Sequence, residues 1–313
     1  MGLFQAAIPP LPETLSFAGK CVLVTGANSG LGLAACFHLV QRHVSTLVLA
    51  VRNNKVGEAT KTALLADPIV RGLPTKPIIR IYELDLARPS SVEAFTSRIL
   101  TEMDWVGTMA WATTPETNTE QMFQINYLSN AILCVRLLPL LRHSSETSGS
   151  TSHLTIVGSR SQAQHTFTSH PIPDTTPVFA FLNDPAHYRI KRYPDSKLLV
   201  SMLVRELAKR LDAAVVTVNN VCPGMTNMNI DSREAWWLRQ IVRLLQAIRG
   251  RSPEVGARTL VYATAAGAKT HGELLLDYDV WEVRKWRKRL WEETLAAAET
   301  VAAGSMKAAG LED

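Results

Sequence analysis

KCVLVTGANSGLG, residues 20–32, changes character halfway along. Its first half is a short, β-branched apolar run, the composition of a buried strand. Its second half places glycine at 26, 30 and 32, the spacing of a turn that opens a helix. LGLAACFHLVQRH (31–43) then follows a helical period, and STLVLAVR (45–52) returns to strand character. Strand, glycine turn, helix and second strand make one βαβ unit. In that setting Gly26 lets the chain turn, Gly30 lets backbone approach a pyrophosphate, and Gly32 lets helix and strand pack closely. Asn28, Ser29 and Leu31 complete the turn, and the helix start offers free amides to phosphates.

Moving outward, the alternation continues. The spacing predicts a helix over 55–66, a strand in PIIRIYELDL (77–86) and a helix through 91–103. WVGTMAWA (105–112) reads as a buried strand and its exit, and residues 120–142 as a long helix with a strong apolar stripe. HLTIVGS (153–159) is a strand, 192–211 a helix, and AAVVTVNNVCPG (213–224) a strand stopped by Pro-Gly. Such alternation implies an α/β fold: a Rossmann-type three-layer αβα sandwich whose central sheet is mostly parallel, with one domain spanning 1–313. Two segments break the rhythm. Residues 160–191, rich in Thr, His and Pro, read as a long substrate-side loop with little regular structure. In 225–252, Trp237, Ile241, Leu244, Leu245 and Ile248 form one apolar side, read as a lid or subunit contact. A basic-aromatic helix over 280–299 opens a C-terminal helical extension, 280–313.

Composition narrows the function. With 46% hydrophobic residues in 313, the chain can bury a full core. A formal charge of +5 without a dense basic block suits an anionic cofactor and does not point to nucleic acid. Cys21, Cys36, Cys134 and Cys222 lack metal or CxxC spacing and read as buried thiols of a reducing compartment. The start MGLFQAAIPPLPE has no basic segment leading into an apolar core, Ala6 stands where a myristoylation signal needs Ser or Thr, and no uninterrupted apolar run reaches membrane-spanning length. The expectation is a cytoplasmic protein without a membrane span.

Particular residues carry chemistry. The second strand ends in AVRNNK (50–55), with Arg52 where a carboxylate would grip an adenosine ribose. A guanidinium pairs with a 2′-phosphate and a carboxylate repels it, which favours NADP. Asp85, at the end of the third strand, is placed to touch the adenine. Tyr193 and Lys197 lie four apart and share a helix face, and a nearby lysine is expected to lower the phenol's pKa towards neutrality. Ser159 is placed to hydrogen-bond the same substrate oxygen. Asn126, a polar residue in an apolar helix, needs partners and would hold a water beside the lysine.

Taken together, TGANSGLG, LDL (84–86), QINYLSN (124–130), Tyr193-Pro-Asp-Ser-Lys197 and Pro223-Gly224 resemble a short-chain dehydrogenase/reductase from about residue 17 to 295. The resemblance implies a catalytic tetrad of Asn126, Ser159, Tyr193 and Lys197. Tyrosine would pass a proton to a carbonyl oxygen steadied by serine; lysine would bind the nicotinamide ribose, and asparagine would support a relay water. Pro223, Gly224 and Thr226 would border the nicotinamide. ARTLVYATAAG (257–267), HGELL (271–275) and KRLWEE (288–293) are similar to a fungal branch related to retinol-type dehydrogenases, many members of which act on secondary metabolites. Dimers or tetramers built on the helices at 120–142 and 192–211 are also implied.

One departure stands out. The family's Asn-Ala-Gly after the fourth strand is replaced by GTMAWA; if Ala110 takes the alanine place, Trp111 stands where glycine admits the cofactor. Three readings therefore stay open: an NADP-dependent reductase or dehydrogenase of a bulky apolar metabolite, a non-redox dehydratase, isomerase or cyclase using Tyr193 as acid or base, and a catalytically silent pathway protein. Phe167, Phe179, Phe181, Tyr188, Met225, Met228, Trp236 and Trp237 are the candidates to enclose an apolar ligand.

Overall fold

β1 (Cys21–Thr25) is buried along its whole length because both of its faces are covered, and it anchors a parallel sheet. The computed structural model describes Gln5 and residues 7–102, 109–110, 120–187, 192–226, 250–281, 289–301 and 303–311. β1 pairs in parallel with β2 (Thr46–Val51) on one side and β4 (Met109–Ala110) on the other, and β2 pairs with β3 (Ile78–Glu83). A second ladder joins β5 (Ser152–Val157), β6 (Val216–Cys222) and β7 (Leu274–Leu276) in parallel, closed by antiparallel β8 (Asp279–Trp281). β4 lies beside β5, so the strands run in the order 3-2-1-4-5-6-7-8. That order reverses direction between β1 and β4, and in such sheets ligands sit at the carboxyl ends of the strands on either side of the reversal.

Helices cover both faces. One layer holds α1 (Gly30–Gln41), α2 (Asn54–Ala66) and α3 (Pro68–Gly72), with α9 (Pro253–Ala263) against α1; Leu31, Leu39, Leu64, Val70, Leu260 and Val261 fill that core. Asn53 and Asp67 cap α2 and α3 by accepting backbone N–H bonds, and Pro68 sits at the first position of α3, where its missing N–H costs nothing. The other layer holds α4 (Pro89–Glu102), α6 (Ser129–Ser148), α8 (Arg192–Ala208), α10 (Arg289–Val301) and α11 (Ser305–Ala309). α10 and α11 pack directly on α6 and bring Leu290, Trp291, Leu295, Ala309 and Leu311 into one core with Leu137, Leu141 and Val204. Each large apolar side chain so buried contributes about 2 kcal/mol.

Several sequence expectations are refined. The long apolar helix is not continuous: α5 (Gln121–Phe123) passes through a π turn (Gln124–Leu128) into α6. The stretch Gln124–Ser148 is long and apolar enough to cross a membrane, but 83% of its apolar window is buried inside the protein, as in a core helix. Residues 131–135 are buried in succession, so this part of α6 is surrounded on every side by its own chain, while the last turns of the helix reach solvent. The run 160–187 is more regular than its composition suggests, with a 3-10 turn (Arg160–Gln164), α7 (Val178–Asn183) and a second 3-10 turn (Pro185–His187). Strand β3 stops at Glu83, so LDL (84–86) lies in the turn that follows. Val280 and Trp281 belong to β8 and not to the C-terminal helix. Trp111, Tyr188, Met228, Trp236, Trp237 and nearly all of the expected lid lie outside the described residues.

Candidate active site

The carboxyl ends of β1, β5 and β6 place three motifs along one edge of the sheet. After β1 comes the glycine turn. Gly26 and Gly30 adopt φ of +63° and +52°, left-handed conformations that strain any side chain. A Cβ on Gly32 would stand 2.3 Å from the Gly26 carbonyl oxygen, so α1 packs this close only with glycine there. Ser29, extended at the start of α1, makes no side-chain capping bond, which leaves the first amides of the helix without a cap from that side chain. Thr25 is 1% exposed, and its hydroxyl is buried without a hydrogen-bond partner among the described residues. These are the features of a cradle for an anionic dinucleotide, and the residues present fit one.

After β5 comes Ser159. It does not end the strand, as expected, but caps the 3-10 turn by accepting from Ser161 N at 3.2 Å. Its hydroxyl lies close enough to the Tyr193 phenol to lower that group's pKa. Tyr193 and Lys197 stand one turn apart on α8, with Lys197 Nζ 5.7 Å from the centre of the tyrosine ring. Lys197 is 1% exposed, donates to the Val157 carbonyl at 2.9 Å, and has its pKa pushed down to about 8 by burial, against a smaller opposing effect of Cys222. Tyr193 is 39% exposed as a whole residue, yet its hydroxyl end is withdrawn from solvent near Ser159 and Cys222. Burial raises the phenol above its ordinary range, and the nearby Ser159 hydroxyl only partly offsets that. The expected lowering of the phenol pKa by Lys197 is therefore not the state of the free protein. With a pKa of about 8 the lysine still carries its charge at neutral pH, and it is burial that governs the phenol.

Asn126 occupies the π turn, 6% exposed, and donates from Nδ2 to Ser196 Oγ at 3.1 Å; Ser196 in turn donates to the Tyr193 carbonyl at 2.8 Å. Its amide is thus tied to the residue beside Lys197, where the sequence suggested a water. Single-turn π bulges concentrate at functional sites, and this one aims Asn126 at α8.

After β6 come Pro223, Gly224 and Thr226. Gly224 has φ of +77°, and a Cβ there would stand 2.2 Å from Gln5 Oε1. Thr226 is 5% exposed and bridges to Arg251. Arg52 is exposed directly after β2. Asp85 is half-buried in the turn after β3, where its carboxylate accepts from Ala87 N at 3.0 Å and Arg88 Nε at 3.3 Å. Of the expected ligand-enclosing aromatics, Phe167 and Phe181 are buried in the core, while Met225 is exposed at the site edge.

Some contributors escape a motif reading. Asp195, two residues past Tyr193 and 1% exposed, accepts from Thr166 N at 2.6 Å and Thr166 Oγ1 at 2.8 Å, tying the substrate-side segment to α8. Ser201 continues the Tyr193–Lys197 stripe and donates to Gln162 Oε1, while Asn220 Nδ2 donates to Ser201 at 2.7 Å. Arg192 pairs with Glu120 at 3.5 Å, joining α8 to the entry of the Asn126 turn. The one advance signal was a carboxylate at position 195, between Tyr193 and Lys197.

The comparisons with known proteins agree with this geometry. A family model described as short chain dehydrogenase matches residues 20–160. A short chain dehydrogenase of Arthrobotrys oligospora is 32% identical over 308 residues, 92% of this chain and 94% of the relative. The short chain dehydrogenase yanD of Aspergillus niger is 34% identical over 313 residues, 93% of this chain and 94% of the relative. Among solved structures, the Pseudomonas aeruginosa RhlG/NADP active-site complex superposes with a TM-score of 0.60 at 23% identity, covering 83% of this chain and 95% of that one; at that identity the likeness speaks to the fold. With the glycine cradle, the Ser-Tyr-Lys cluster and relatives matched almost end to end, the chain belongs to the short-chain dehydrogenase/reductase family of nicotinamide-dependent oxidoreductases.

Proposed function

We propose that the protein is an NADP-dependent reductase or dehydrogenase that interconverts a ketone and an alcohol on a bulky, largely apolar secondary metabolite, and that it works in the cytoplasm. The observation that carries this reading is the cluster in which Tyr193, beside Ser159, stands over buried Lys197 at the end of the sheet that holds the glycine cradle. The choice of NADP rests on Arg52 and on the lack of any acidic residue in 50–55. Gly26, Asn28, Ser29, Gly30, Leu31 and Gly32 would hold the pyrophosphate, Arg52 the 2′-phosphate, Asp85 the adenine side, and Lys197, Pro223, Gly224 and Thr226 the nicotinamide end.

A bound nicotinamide supplies the hydride. The chain's own residues manage the proton and the oxygen. Ser159 orients the substrate oxygen beside the Tyr193 hydroxyl, and Tyr193, held protonated by burial, donates its proton to that oxygen in the reductive direction. Lys197 sits where it can support the phenolate left behind, and Asn126, through Ser196, fixes the α8 turn that presents both groups.

Calorimetric titration with NADPH and NADH, followed by turnover of a panel of aryl and polycyclic ketones, tests the reading. NADPH should bind at least tenfold more tightly than NADH, and Tyr193→Phe should lower turnover at least 100-fold while leaving NADPH affinity within about twofold. Failure of both dinucleotides to bind would remove hydride transfer and leave non-redox chemistry at Tyr193.

A further inference from the structure

α7 (Val178–Asn183) lies within the segment that leaves Ser159 and returns at Arg192, beside Tyr193, so its position is coupled to the site at both ends. Its N-terminus has no local cap, since Pro177 precedes it and no side chain nearby in sequence accepts its first amides. The acceptor comes from 115 residues away. Glu293, on α10, accepts from Val178 N with Oε1 and from Phe179 N with Oε2, each at 2.7 Å. The next residue, Thr294, is fully buried and bonds the Tyr127 hydroxyl at 2.5 Å, and Tyr127 directly follows Asn126 in the π turn. The two arms also touch each other. Phe179 meets Phe123 edge-on at 5.0 Å, and Phe123 stacks on Tyr127 at 5.6 Å. A closed ring of contacts thus runs from α10 through α7, Phe123 and Tyr127 back to α10.

We propose that Glu293 is a positioning residue: by capping α7 while its neighbour Thr294 holds the Asn126 turn, it sets the spacing between the substrate-side segment and the catalytic helix, and so the size of carbonyl compound the site accepts. The consequence for substrate rests on the carbonyl-reductase reading above; the clasp itself does not. Charge-assisted capping bonds of this length are among the stronger hydrogen bonds in proteins, and losing both frees a helix of six residues that cannot hold itself together. The 3-10 turn at Pro185–His187, with His187 stacked on Phe181 at 4.0 Å, would move with it.

The test compares the wild-type chain with Glu293→Gln and Glu293→Ala. Amide hydrogen exchange reads the clasp. Exchange at 178–183 should accelerate at least tenfold in Glu293→Ala and by less in Glu293→Gln, which keeps one acceptor, while exchange in β1 and β5 is unchanged. NADPH affinity should stay within about twofold of wild type. With a planar tricyclic quinone and a four-carbon diketone as probes, KM for the quinone should rise at least fivefold in Glu293→Ala, with kcat and the small diketone altered less than twofold and Glu293→Gln restoring part of the loss. Unchanged exchange at 178–183, or equal losses on both probes, overturns the proposal. If the wild-type chain binds NADPH and reduces neither probe, it is the carbonyl reading that falls, and the exchange result still decides the clasp.

Discussion

Replacing Lys197 with methionine should make the free protein's stability respond to pH in a way that isolates one buried ammonium. Lys197 is 1% exposed, and burial brings its pKa from an ordinary 10.5 down to about 8. The folded state therefore binds fewer protons than the unfolded state between those values, and the wild-type protein gains stability as pH rises through that window. The full shift corresponds to about 3 kcal/mol of penalty below pH 8, of which about 2 kcal/mol should be recovered between pH 7 and pH 10. Methionine fills similar volume with no charge to desolvate, though it leaves the Val157 carbonyl without the 2.9 Å bond it now accepts, a loss of about 1 kcal/mol that does not depend on pH. Urea unfolding of both proteins at pH 7, 8, 9 and 10 separates these effects, because titrating groups away from Lys197 cancel in the difference. The wild type should gain about 2 kcal/mol on Lys197→Met across the series. A difference that stays flat within about 0.5 kcal/mol would refute the claim that burial depresses this lysine.

Three further outcomes are expected. Arg52→Asp should weaken NADPH at least tenfold and leave NADH equal or tighter, read by calorimetry, because a carboxylate repels the 2′-phosphate that the guanidinium would pair with. Asp195→Ala leaves the Thr166 amide and hydroxyl without their acceptor and should cost about 2–4 kcal/mol in urea unfolding; a loss below about 0.5 kcal/mol would show the clasp to be incidental. Since α6 is already covered by α10 and α11, amide exchange in residues 131–135 should be the same at low and high protein concentration, and protection there that grows with concentration would show a subunit contact built on α6.

Much of this architecture is written in local pattern, and what is not local is where the reading from sequence was corrected. The run from Cys21 to Thr25, the glycine turn and α1 are specified by neighbours within a dozen residues, so period and composition identify them. The spacing of Tyr193 and Lys197 is likewise a property of one helix. By contrast, the π turn at Gln124–Leu128 leaves the hydrophobic period almost intact, because one extra residue in a turn looks like ordinary scatter. The helix at Val178–Asn183 follows Pro177 and is only six residues long, too short to stand on propensity, and it exists because Glu293 caps it. Asp195 and Thr166 find each other across 29 residues. No window of sequence contains both partners of any of these contacts.

The pKa of Tyr193 shows how a sound local rule can mislead. A lysine four residues from a tyrosine does share its helix face, and its charge would favour the phenolate. The structure does bring Nζ to 5.7 Å from the ring. The same packing, however, removes water from both groups, and desolvation opposes charge on each of them. Burial moves the lysine down and the tyrosine up, in both cases towards the neutral form. A phenol at its ordinary pKa already keeps its proton at neutral pH, and burial holds Tyr193 further towards that form, while Lys197, with a pKa of about 8, still carries its charge there. Spacing determines that the two side chains meet; the surroundings determine which of them is charged, and those surroundings are assembled from β5, β6 and α8 rather than from any single motif.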